Sequence, residues 1–476
     1  MRDAMDAPLV HSATPSRPIL FANGRAVSVG ELLASVRRVA AALGEGGPIV
    51  NLCEHRDRFL IVYCAALVRG RMNLLPPSRA PLIIEEVAAN YAGSVRCDDA
   101  LVARALGEAA GAAPVDAGGG AAGLAACGAA ADRAAADRAA AERAAADVPR
   151  IPCEAIAEIA FTSGSTGAPK AHVKRWRTLL GSTVHNAARI HECLAPAFGA
   201  QRPWIVATVP PQHMYGTETS ILLPLAADMA VHAARPLFPA DVAAALAEVP
   251  GPRVLIATPV HLRALVDSDE CFPQVHVVVS ATAPLERPLA AAAERVFGGV
   301  VLEMFGSTET CVIATRRTAH EASWHLYPGV ALEPGGDGTV VRARWFDGPV
   351  VLQDIVELDG DRRFIVRGRN ADMIEVAGKR ASLADLNRRL LAISGVRDAV
   401  AFQPDEATGV VRRVAALVVA PGLAPEAILA ELGRAVDPAF LPRPLVLVPA
   451  LPRNELGKLS REALMRLAAQ RLPHHA

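Results

Sequence analysis

A run of small, hydroxylated residues is the strongest chemical signal in the sequence. It reads Phe161-Thr-Ser-Gly-Ser-Thr-Gly-Ala-Pro-Lys170 and lies between a predicted strand and a predicted helix. Backbone N–H groups and hydroxyls in such a stretch can close around phosphate oxygens, and the lysine adds a mobile positive charge. The GxxxxGK[ST] spacing of a Walker A loop is absent. A simple turn would not need these residues, so we predict a nucleotide-phosphate loop. Its predicted contact residues are Thr162, Ser163, Gly164, Ser165, Thr166, Gly167 and Lys170.

This loop and three later segments resemble the signature of the acyl-adenylate-forming (AMP-binding) superfamily. That superfamily includes acyl- and aryl-CoA ligases, adenylation domains of peptide synthetases, and luciferase. The matches follow in the family's order and cover residues 155 to 462. The resemblance implies an α/β adenylate-forming enzyme fold. Its large N-terminal domain (1–367) contains layered α/β subdomains and a β-rich subdomain, and its small, mobile α+β C-terminal domain covers 368–476.

The segment Phe305-Gly-Ser-Thr-Glu309 matches the family's (Y/F)GxTE pattern and follows a predicted strand. The resemblance implies that Phe305, Gly306 and Ser307 line the nucleotide site. It also implies that Thr308 contacts the phosphate and the acyl carboxylate, and that Glu309 holds Mg²⁺. A carboxylate beside the phosphates of ATP needs such a cation, because like charges would otherwise repel.

Asp354 is similar to the family's aspartate that accepts hydrogen bonds from the ribose hydroxyls. An isolated Asp before a strand is usually a cap or turn residue, but its position shortly before Gly368-Arg369 favours the ribose interpretation. Arg369 matches a family arginine that reaches the nucleotide. The segment 368–372 resembles the hinge between the two domains. In the common GRxD pattern the aspartate stands where this chain has Ala371, and Asp372 comes one residue later, so the pivot residue stays open.

The segment Leu451-Pro-Arg-Asn-Glu-Leu-Gly-Lys458 matches the C-terminal PRxxxGK pattern. The implied role of Lys458 is to bridge the acyl carboxylate and the α-phosphate. Two anions must come within bonding distance during adenylation, and one placed ammonium offsets their repulsion.

Two weaker segments concern the acid. Pro210-Pro-Gln-His-Met-Tyr-Gly216 resembles the PxxHxxG segment of acyl- and aryl-CoA ligases, in which His213 is either a packed wall residue or a gate to the acyl pocket. Ser280-Ala-Thr-Ala-Pro284 matches a segment that lines the acyl and adenine pockets. Adenylation domains for amino acids usually place an aspartate in the first segment. None is present in Pro210–Gly216, which argues against an amino acid because its ammonium would be buried unpaired.

A narrower resemblance concerns the continuations of two motifs. His172-Val-Lys174-Arg-Trp176 and Val376-Ala-Gly-Lys-Arg-Ala-Ser-Leu383 look like the stand-alone ligases of aryl-polyene and xanthomonadin pigment clusters. Those ligases also lack the usual glycine at the Ala171 position. This resemblance implies an aromatic acid, such as a hydroxybenzoate, loaded onto an acyl carrier protein.

The predicted reaction has two steps that use MgATP. A carboxylate attacks the α-phosphate and releases pyrophosphate; the small domain then rotates, and a phosphopantetheine thiol of a carrier protein or of CoA attacks the acyl-adenylate. A degenerate nucleotide-binding homologue without catalysis is the alternative, and the presence of Glu309, Lys458 and a full phosphate loop argues against it. A kinase or ATPase would release ADP instead of AMP.

The elements that position these motifs follow an α/β pattern. In residues 18–100, the apolar runs Ile49–Leu52 and Phe59–Val68 alternate with helical stretches such as Ser28–Leu43, where Ser28 and Glu31 have capping-box spacing. Val173, Trp176, Leu180 and Val184 have helical spacing, and short strands are expected after Ala314. Buried strands are predicted at Ala155–Phe161, Trp204–Val209, Val254–Ala257, Val275–Val279 and Val300–Met304.

Composition limits the classes of partner. Lys+Arg and Asp+Glu both number 49, so no excess charge suggests a nucleic-acid or anionic-membrane partner. The eight cysteines form no CxxC pair, the N-terminus has no signal-peptide core, and no apolar run is long enough to span a membrane. We therefore expect a cytoplasmic protein with reduced thiols. Residues 103–150 are rich in alanine, and Arg133, Arg138 and Arg143 recur every five residues. That period buries no helical face, which favours a solvated linker over a partner-binding arm.

Overall fold

The computed structural model describes most of the 476-residue chain, with gaps. The described residues are 5–11, 14–77, 79–108, 148–163, 169–199, 201–335, 338–369, 373–376, 379–404, 413–436, 438–455 and 457–472. Most of the predicted linker, the centre of the phosphate loop (164–168) and the end of the predicted hinge (370–372) lie outside them. Within the described residues, no helix is both long and apolar enough to cross a membrane.

The helices and strands alternate through the first two thirds of the chain, and strands predominate after residue 300. The helices are α1 Val29–Ala42, α2 Arg56–Val68, α3 Pro81–Ala89, α4 Asp99–Leu106, α5 Trp176–Phe198, α6 Met214–Thr217, α7 Leu223–Ala226, α8 Pro239–Glu248, α9 Pro259–Val266, α10 Arg287–Phe297, α11 Leu383–Leu391, α12 Pro425–Gly433 and α13 Arg461–Arg471, with a π-helical turn at Glu218–Leu222 and a 3₁₀ turn at Pro438–Phe440. The strands up to residue 307 are β1 Asp6–Pro8, β2 Pro18–Ala22, β3 Arg25–Ser28, β4 Ile49–Asn51, β5 Asn73–Leu75, β6 Val95–Cys97, β7 Arg150–Pro152, β8 Ile156–Ser163, β9 Pro169–Arg175, β10 Trp204–Ala207, β11 Ala230–His232, β12 Arg253–Ala257, β13 Val277–Ser280 and β14 Val300–Ser307. The later strands are β15 Cys311–Arg316, β16 Trp324–Leu326, β17 Val330–Gly335, β18 Gly338–Ala343, β19 Val350–Leu352, β20 Asp354–Leu358, β21 Arg363–Arg369, β22 Met373–Val376, β23 Lys379–Ser382, β24 Asp398–Phe402, β25 Ala415–Val419 and β26 Leu445–Leu447.

The chain divides into two compact units. The first consists of residues 1–257, 264–280 and 293–313, and the second of residues 258–263, 281–292 and 314–476. This division by contacts differs from the predicted boundary between residues 367 and 368, which marks a hinge and stays a prediction.

Two sheets form the framework of the first unit. One has the strand order β14-β13-β12-β10-β11-β2-β3, parallel except for the final β2–β3 pair, and the other has the order β6-β4-β5-β8-β9, parallel except for β8–β9. The central strands β10, β12 and β13 are almost entirely buried. Strands covered on both faces are largely apolar, which is why the five predicted strand runs were found correctly in the sequence.

Helix α1 confirms the predicted capping box. The Ser28 hydroxyl accepts the Glu31 N–H at 3.3 Å, and the Glu31 carboxylate accepts the Ser28 N–H at 2.8 Å. The prediction that the apolar runs Ile49–Leu52 and Phe59–Val68 alternate with helices is wrong for the second run. Ile49–Asn51 forms a strand, whereas Phe59–Val68 belongs to α2, which is buried on almost every side. A fully buried helix has no polar face, so periodicity alone does not distinguish it from a strand.

The predicted helical stripe at Val173, Trp176, Leu180 and Val184 is partly wrong. Trp176 and Leu180 are buried on α5, but Val173 lies on strand β9 and Val184 is 48% exposed on the helix. Helix α5 begins only at Trp176, because β9 continues the hairpin that the phosphate loop closes. The chain therefore turns from strand to helix three residues later than the pattern suggested.

The second unit confirms the change to short strands after Ala314. Strands β15, β16, β21 and β20 pair in that order, and β17, β18 and β19 form an antiparallel meander. Toward the C-terminus, the antiparallel pair β22–β23 and the sheet β24-β25-β26 are accompanied by three helices. Leu386, Leu390, Val418 and Ile428 belong to the core between these helices and strands.

Candidate active site

The phosphate loop closes a two-stranded ribbon, β8–β9, whose inner face carries polar residues. Thr162 pairs with Lys170, Ala160 with His172, and Glu158 with Lys174. Alternate residues of a strand share a face, so Lys170, His172 and Lys174 follow one another from the loop inward. Lys170 is exposed at the tip, whereas His172 is 8% and Lys174 is 3% exposed. The ribbon thus presents a line of basic groups that runs from solvent into the protein.

His172 connects the ribbon to the Phe305–Glu309 segment. Its Nε2 atom lies 2.9 Å from the Thr162 hydroxyl and 3.8 Å from an Oε1 atom of Glu309. Burial lowers the pKa of His172, which the Glu309 carboxylate counteracts and the nearby lysines reinforce. Thr162 and Glu309 are separated by well over a hundred residues in sequence, and the imidazole lies between them.

The turn between β14 and β15 carries Thr308 and Glu309. The Ser307 hydroxyl accepts the N–H groups of Glu309 at 3.1 Å and Thr310 at 3.3 Å, and the Ser307 N–H donates to the Thr310 hydroxyl. Gly306 is required here because a Cβ atom would lie only 2.1 Å from the carbonyl oxygen of Cys311. Cys311 itself has a φ of +59°, an uncommon value for a residue other than glycine. Local hydrogen bonds and one close backbone approach therefore fix the shape of this turn.

Glu309 has the chemistry of a magnesium ligand. Burial alone would raise its pKa, but hydrogen bonds from Ser307 and from its own N–H, together with His172 and Lys170, lower that pKa below its ordinary value. The side chain stays 35% exposed. An ionised, partly open carboxylate fits Mg²⁺, which typically binds one or two protein carboxylates together with substrate phosphates. The described residues contain no group of three or more His, Cys, Asp or Glu side chains that could hold a metal ion.

A buried acidic pair lies behind the ribbon. Glu158 accepts a hydrogen bond from the Tyr63 hydroxyl at 2.8 Å, and burial raises its pKa to about 7, although Tyr63 and Lys174 oppose that shift. Glu218, in the π-helical turn, accepts hydrogen bonds from Ser182, Asn186 and the N–H of Val312. Burial raises the pKa of Glu218 as well. Two carboxylates so deep in a protein require donors and a nearby cation, and Lys174 is that cation.

The segment Pro210–Gly216 turns tightly into helix α6. A Cβ atom at Gly216 would lie 1.9 Å from the carbonyl oxygen of Pro210, so glycine is required at this crossing. His213 occupies the N-cap position of α6 and is partly buried. The Tyr215 hydroxyl lies 3.1 Å from the carbonyl oxygen of Ala257 and 3.0 Å from that of Val279, at the carboxyl ends of β12 and β13. Parallel sheets bind ligands at this edge.

Ser280 ends strand β13 at the same edge. It pairs with Ala257 on one side and with Glu303 on the other, and its buried hydroxyl has no hydrogen-bond partner in the structure. A buried hydroxyl without a partner has an unmet polar requirement, which a bound ligand could satisfy. This agrees with the predicted role of Ser280 in lining a pocket.

In the second unit, the backbones of Asp354 and Arg369 are paired in the register of the antiparallel strands β20 and β21. Asp354 is 8% exposed, and its backbone carbonyl accepts a hydrogen bond from the Thr339 hydroxyl. The structure thus brings together the two residues predicted to reach the nucleotide. Asn370, Ala371 and Asp372 of the predicted hinge lie outside the described residues.

Lys458 lies at the end of a small hairpin, also in the second unit. Its N–H donates to the Asn454 side chain at 2.9 Å, and the Asn454 N–H donates back to the Lys458 carbonyl oxygen at 2.8 Å. Arg453 holds this hairpin through a bidentate pair with Asp398, both bonds being 2.7 Å long. Gly457 adopts a φ of +74° in the turn. The Lys458 side chain is exposed. Backbone and Asn454 hydrogen bonds therefore hold the segment from which the exposed Lys458 side chain projects.

The first unit brings the Thr162–Lys170 end of the ribbon beside Glu309, and it also contains Thr308, His213 and Ser280. Asp354, Arg369 and Lys458 belong to the second unit. The roles of all these residues stay predictions. Sequence reasoning missed the inward-facing polar residues His172, Lys174, Glu158 and Glu218 as parts of the site. Alternation of Lys170, His172 and Lys174 along one strand was the available signal for two of them.

Comparisons with known proteins identify the class. Residues 10–335 match the model of the AMP-binding enzyme family, and the chain belongs to that family. It is 32% identical to a 4-coumarate–CoA ligase from Rhodobacter capsulatus over 49% of this chain and 57% of that protein. It is 27% identical to the p-hydroxybenzoic acid–AMP ligase FadD22 from Mycobacterium tuberculosis over 65% of this chain and 48% of that protein. The chain thus matches about half the length of these relatives.

Solved structures support the fold over nearly the whole chain. The o-succinylbenzoate CoA synthetase MenE from Bacillus subtilis, in complex with its acyl-adenylate OSB-AMP, matches with a TM-score of 0.74 at 17% identity, covering 97% of this chain and 98% of that one. ATP-bound MatB from Rhodopseudomonas palustris matches with a TM-score of 0.73 at 18% identity, covering 96% of both chains. The predicted adenylate-forming fold is confirmed.

Proposed function

We propose that the protein uses ATP to activate a carboxylic acid as an acyl-adenylate and then transfers the acyl group to a thiol. The observation that carries this proposal is the meeting of the phosphate-loop ribbon with Glu309, where His172 lies 2.9 Å from Thr162 and 3.8 Å from the Glu309 carboxylate. The exposed Lys170 at the end of the ribbon suits a polyphosphate, and the partly open Glu309 carboxylate beside the ribbon suits its metal ion. Membership of the AMP-binding enzyme family supports the same reaction.

Each residue has a distinct task in this proposal. Lys170 and the Thr162 hydroxyl hold the phosphate oxygens, and Thr308 orients the α-phosphate against the acyl carboxylate. Lys458 offsets the repulsion between those two anions as the carboxylate attacks. Asp354 and Arg369 bind the ribose and the nucleotide. Mg²⁺, held by Glu309 with the phosphates, would neutralise part of the polyphosphate charge.

We propose an aromatic acid without an ammonium group as the substrate. The Pro210–Gly216 segment contains no carboxylate that could pair with an α-ammonium. The 4-coumarate ligase and the p-hydroxybenzoic acid ligase among the relatives support an aryl acid. The thiol acceptor is a phosphopantetheine, carried by an acyl carrier protein or by CoA, and the proposed location is the cytoplasm.

Pyrophosphate exchange tests the first half-reaction. We expect carboxylate-dependent exchange between ATP and labelled pyrophosphate, strongest with hydroxybenzoates or cinnamates in a panel that also contains fatty acids and amino acids. AMP, and not ADP, should form once an acceptor thiol is added. Absence of exchange with every acid would favour a nucleotide-binding homologue without catalysis. Exchange driven best by a free amino acid would refute the pocket interpretation but leave the adenylation chemistry intact.

The acceptor is tested in the second half-reaction. Purified acyl-adenylate is supplied with either CoA or a phosphopantetheinylated carrier protein, and thioester formation is measured by mass spectrometry. The two thiols have the same reactive group, so a preference between them reports recognition of the rest of the carrier.

A further inference from the structure

Lys174 occupies an unusual position behind the phosphate loop. It is 3% exposed and lies directly opposite Glu158 in the β8–β9 ribbon. Its ammonium donates a hydrogen bond to the backbone carbonyl of Glu309, and it also hydrogen-bonds the thiol of Cys311. One buried cation thereby contacts the β14–β15 turn on both sides of Thr310.

Charge balance alone does not explain this arrangement. Burying an ammonium is costly, and the acidic groups of Glu158 and Glu218 lie close enough to interact electrostatically with Lys174. Glu218, however, already accepts three hydrogen bonds from Ser182, Asn186 and the Val312 N–H. One directional contact of Lys174 is instead with a neutral carbonyl, that of Glu309. That contact joins the buried ammonium to the backbone of the turn that carries the predicted metal ligand.

The turn that Lys174 contacts requires such support. Cys311 has a φ of +59°, in the left-handed region that residues with a side chain rarely adopt. Strained backbone persists only where surrounding contacts fix it, and such strain concentrates at functional sites. The Ser307 hydroxyl fixes the turn from within, and Lys174 fixes it from the adjacent sheet.

We propose that Lys174 is a positioning residue, which holds the backbone of Glu309 so that its carboxylate meets the magnesium ion of MgATP. The inference rests on the proposed function, because that function assigns Mg²⁺ to the Glu309 carboxylate. It extends that function by assigning a task to a buried lysine outside the loop that binds phosphate. The effect is indirect: Lys174 touches neither the nucleotide nor the metal in this proposal.

The test separates positioning from charge balance by means of two variants. Glu158→Gln serves as the reference, since the amide oxygen can still accept the Tyr63 hydrogen bond. At pH 8, above the pKa of about 7 of Glu158, Lys174→Met/Glu158→Gln removes one positive and one negative charge together, so the buried charge balance is kept. The double variant leaves Glu218 as the one acidic group of the pair, and Glu218 keeps its hydrogen bonds from Ser182, Asn186 and the Val312 N–H.

Three quantities are measured for each variant and the parent. They are the urea midpoint of unfolding, the Mg²⁺ concentration for half-maximal pyrophosphate exchange, and ATP affinity by calorimetry with Mg²⁺ and with EDTA. We expect the double variant to keep the urea midpoint of Glu158→Gln but to need about tenfold more Mg²⁺, the loss typical when the support of a metal ligand is removed. ATP affinity should fall in Mg²⁺ and stay unchanged in EDTA.

Two results would overturn the proposal, and they differ from each other. If the double variant has the Mg²⁺ requirement and the ATP affinity of Glu158→Gln, Lys174 only balances charge, and the proposed function stands. If the parent protein itself shows no Mg²⁺-dependent binding of ATP, both the positioning role and the proposed function fail. Calorimetry measures ATP binding directly, so it detects the second result even when the acid substrate has not been identified.

Discussion

Substitution of Lys458 by alanine isolates the effect of one charge. The Lys458 side chain is exposed, and the hydrogen bonds that hold its hairpin use the backbone of Lys458 and the side chain of Asn454. Truncation therefore leaves the fold intact, and exposed substitutions of this kind change stability by about 0.5 kcal/mol or less. The whole loss of activity should appear in the rate of the adenylation step. Removing one oriented group that stabilises developing charge costs about a hundredfold or more in rate, or about 2.7 kcal/mol.

Separate assays of the two half-reactions check this expectation. Pyrophosphate exchange measures adenylation, and thioester formation from supplied acyl-adenylate measures transfer, which should stay within a few-fold of the parent. Arg466→Ala is the matched control, because it removes an exposed cation from helix α13 in the same unit. Equal losses in the two half-reactions would refute the assignment of Lys458 to the meeting of two anions. A large fall in the melting temperature would show instead that the side chain supports the hairpin.

Four further predictions follow from particular residues. Gly306→Ala should destabilise the protein by about 1 to 3 kcal/mol in urea unfolding, since its Cβ meets the Cys311 carbonyl oxygen at 2.1 Å; Gly348→Ala, which meets nothing within 4 Å, should be close to neutral. Burial raises the pKa of Glu158 from 4.5 to about 7, so between these pH values the native state holds a proton that the unfolded state has lost. The free energy of unfolding should therefore fall as pH rises from 4.5 to about 7. Glu218, Tyr63 and Lys174 are the other titratable groups that interact with Glu158. In Glu158→Gln the stability should fall less between pH 5.5 and 8 than in the parent. Parallel stability curves for the two proteins would contradict this prediction. His213→Ala should change the preference among acids in pyrophosphate exchange more than the affinity for ATP, and a dominant effect on ATP would remove it from the acyl pocket. Deletion of residues 118–147, which lie outside the described residues, should leave exchange within a few-fold, and a collapse in soluble yield would show that the alanine-rich segment is needed for folding.

The motifs were accessible from sequence because their chemistry is local. A phosphate loop requires glycines and hydroxyls next to one another, and the turn at Phe305–Glu309 requires Gly306 for a close approach within a few residues. The buried strands β10, β12 and β13 were equally clear, since strands covered on both faces consist largely of apolar residues. Helix α2 escaped recognition for the same reason. It is apolar on all sides and therefore resembles a buried strand in sequence.

The sequence by itself determined the family, the order of the motifs and the polar character of the phosphate loop. Only the tertiary structure decided which charges meet. Lys174 lies opposite Glu158 by strand register, near Glu218 by the packing of a π-helical turn, and against Glu309 through a turn that returns from β14. The contacts of Lys174 with Glu218 and Glu309 join residues far apart in sequence, and the spacing of residues along a chain contains no information on such distances. Burial then gives these contacts their energetic weight, because a charge removed from water must be matched by the groups that folding places around it.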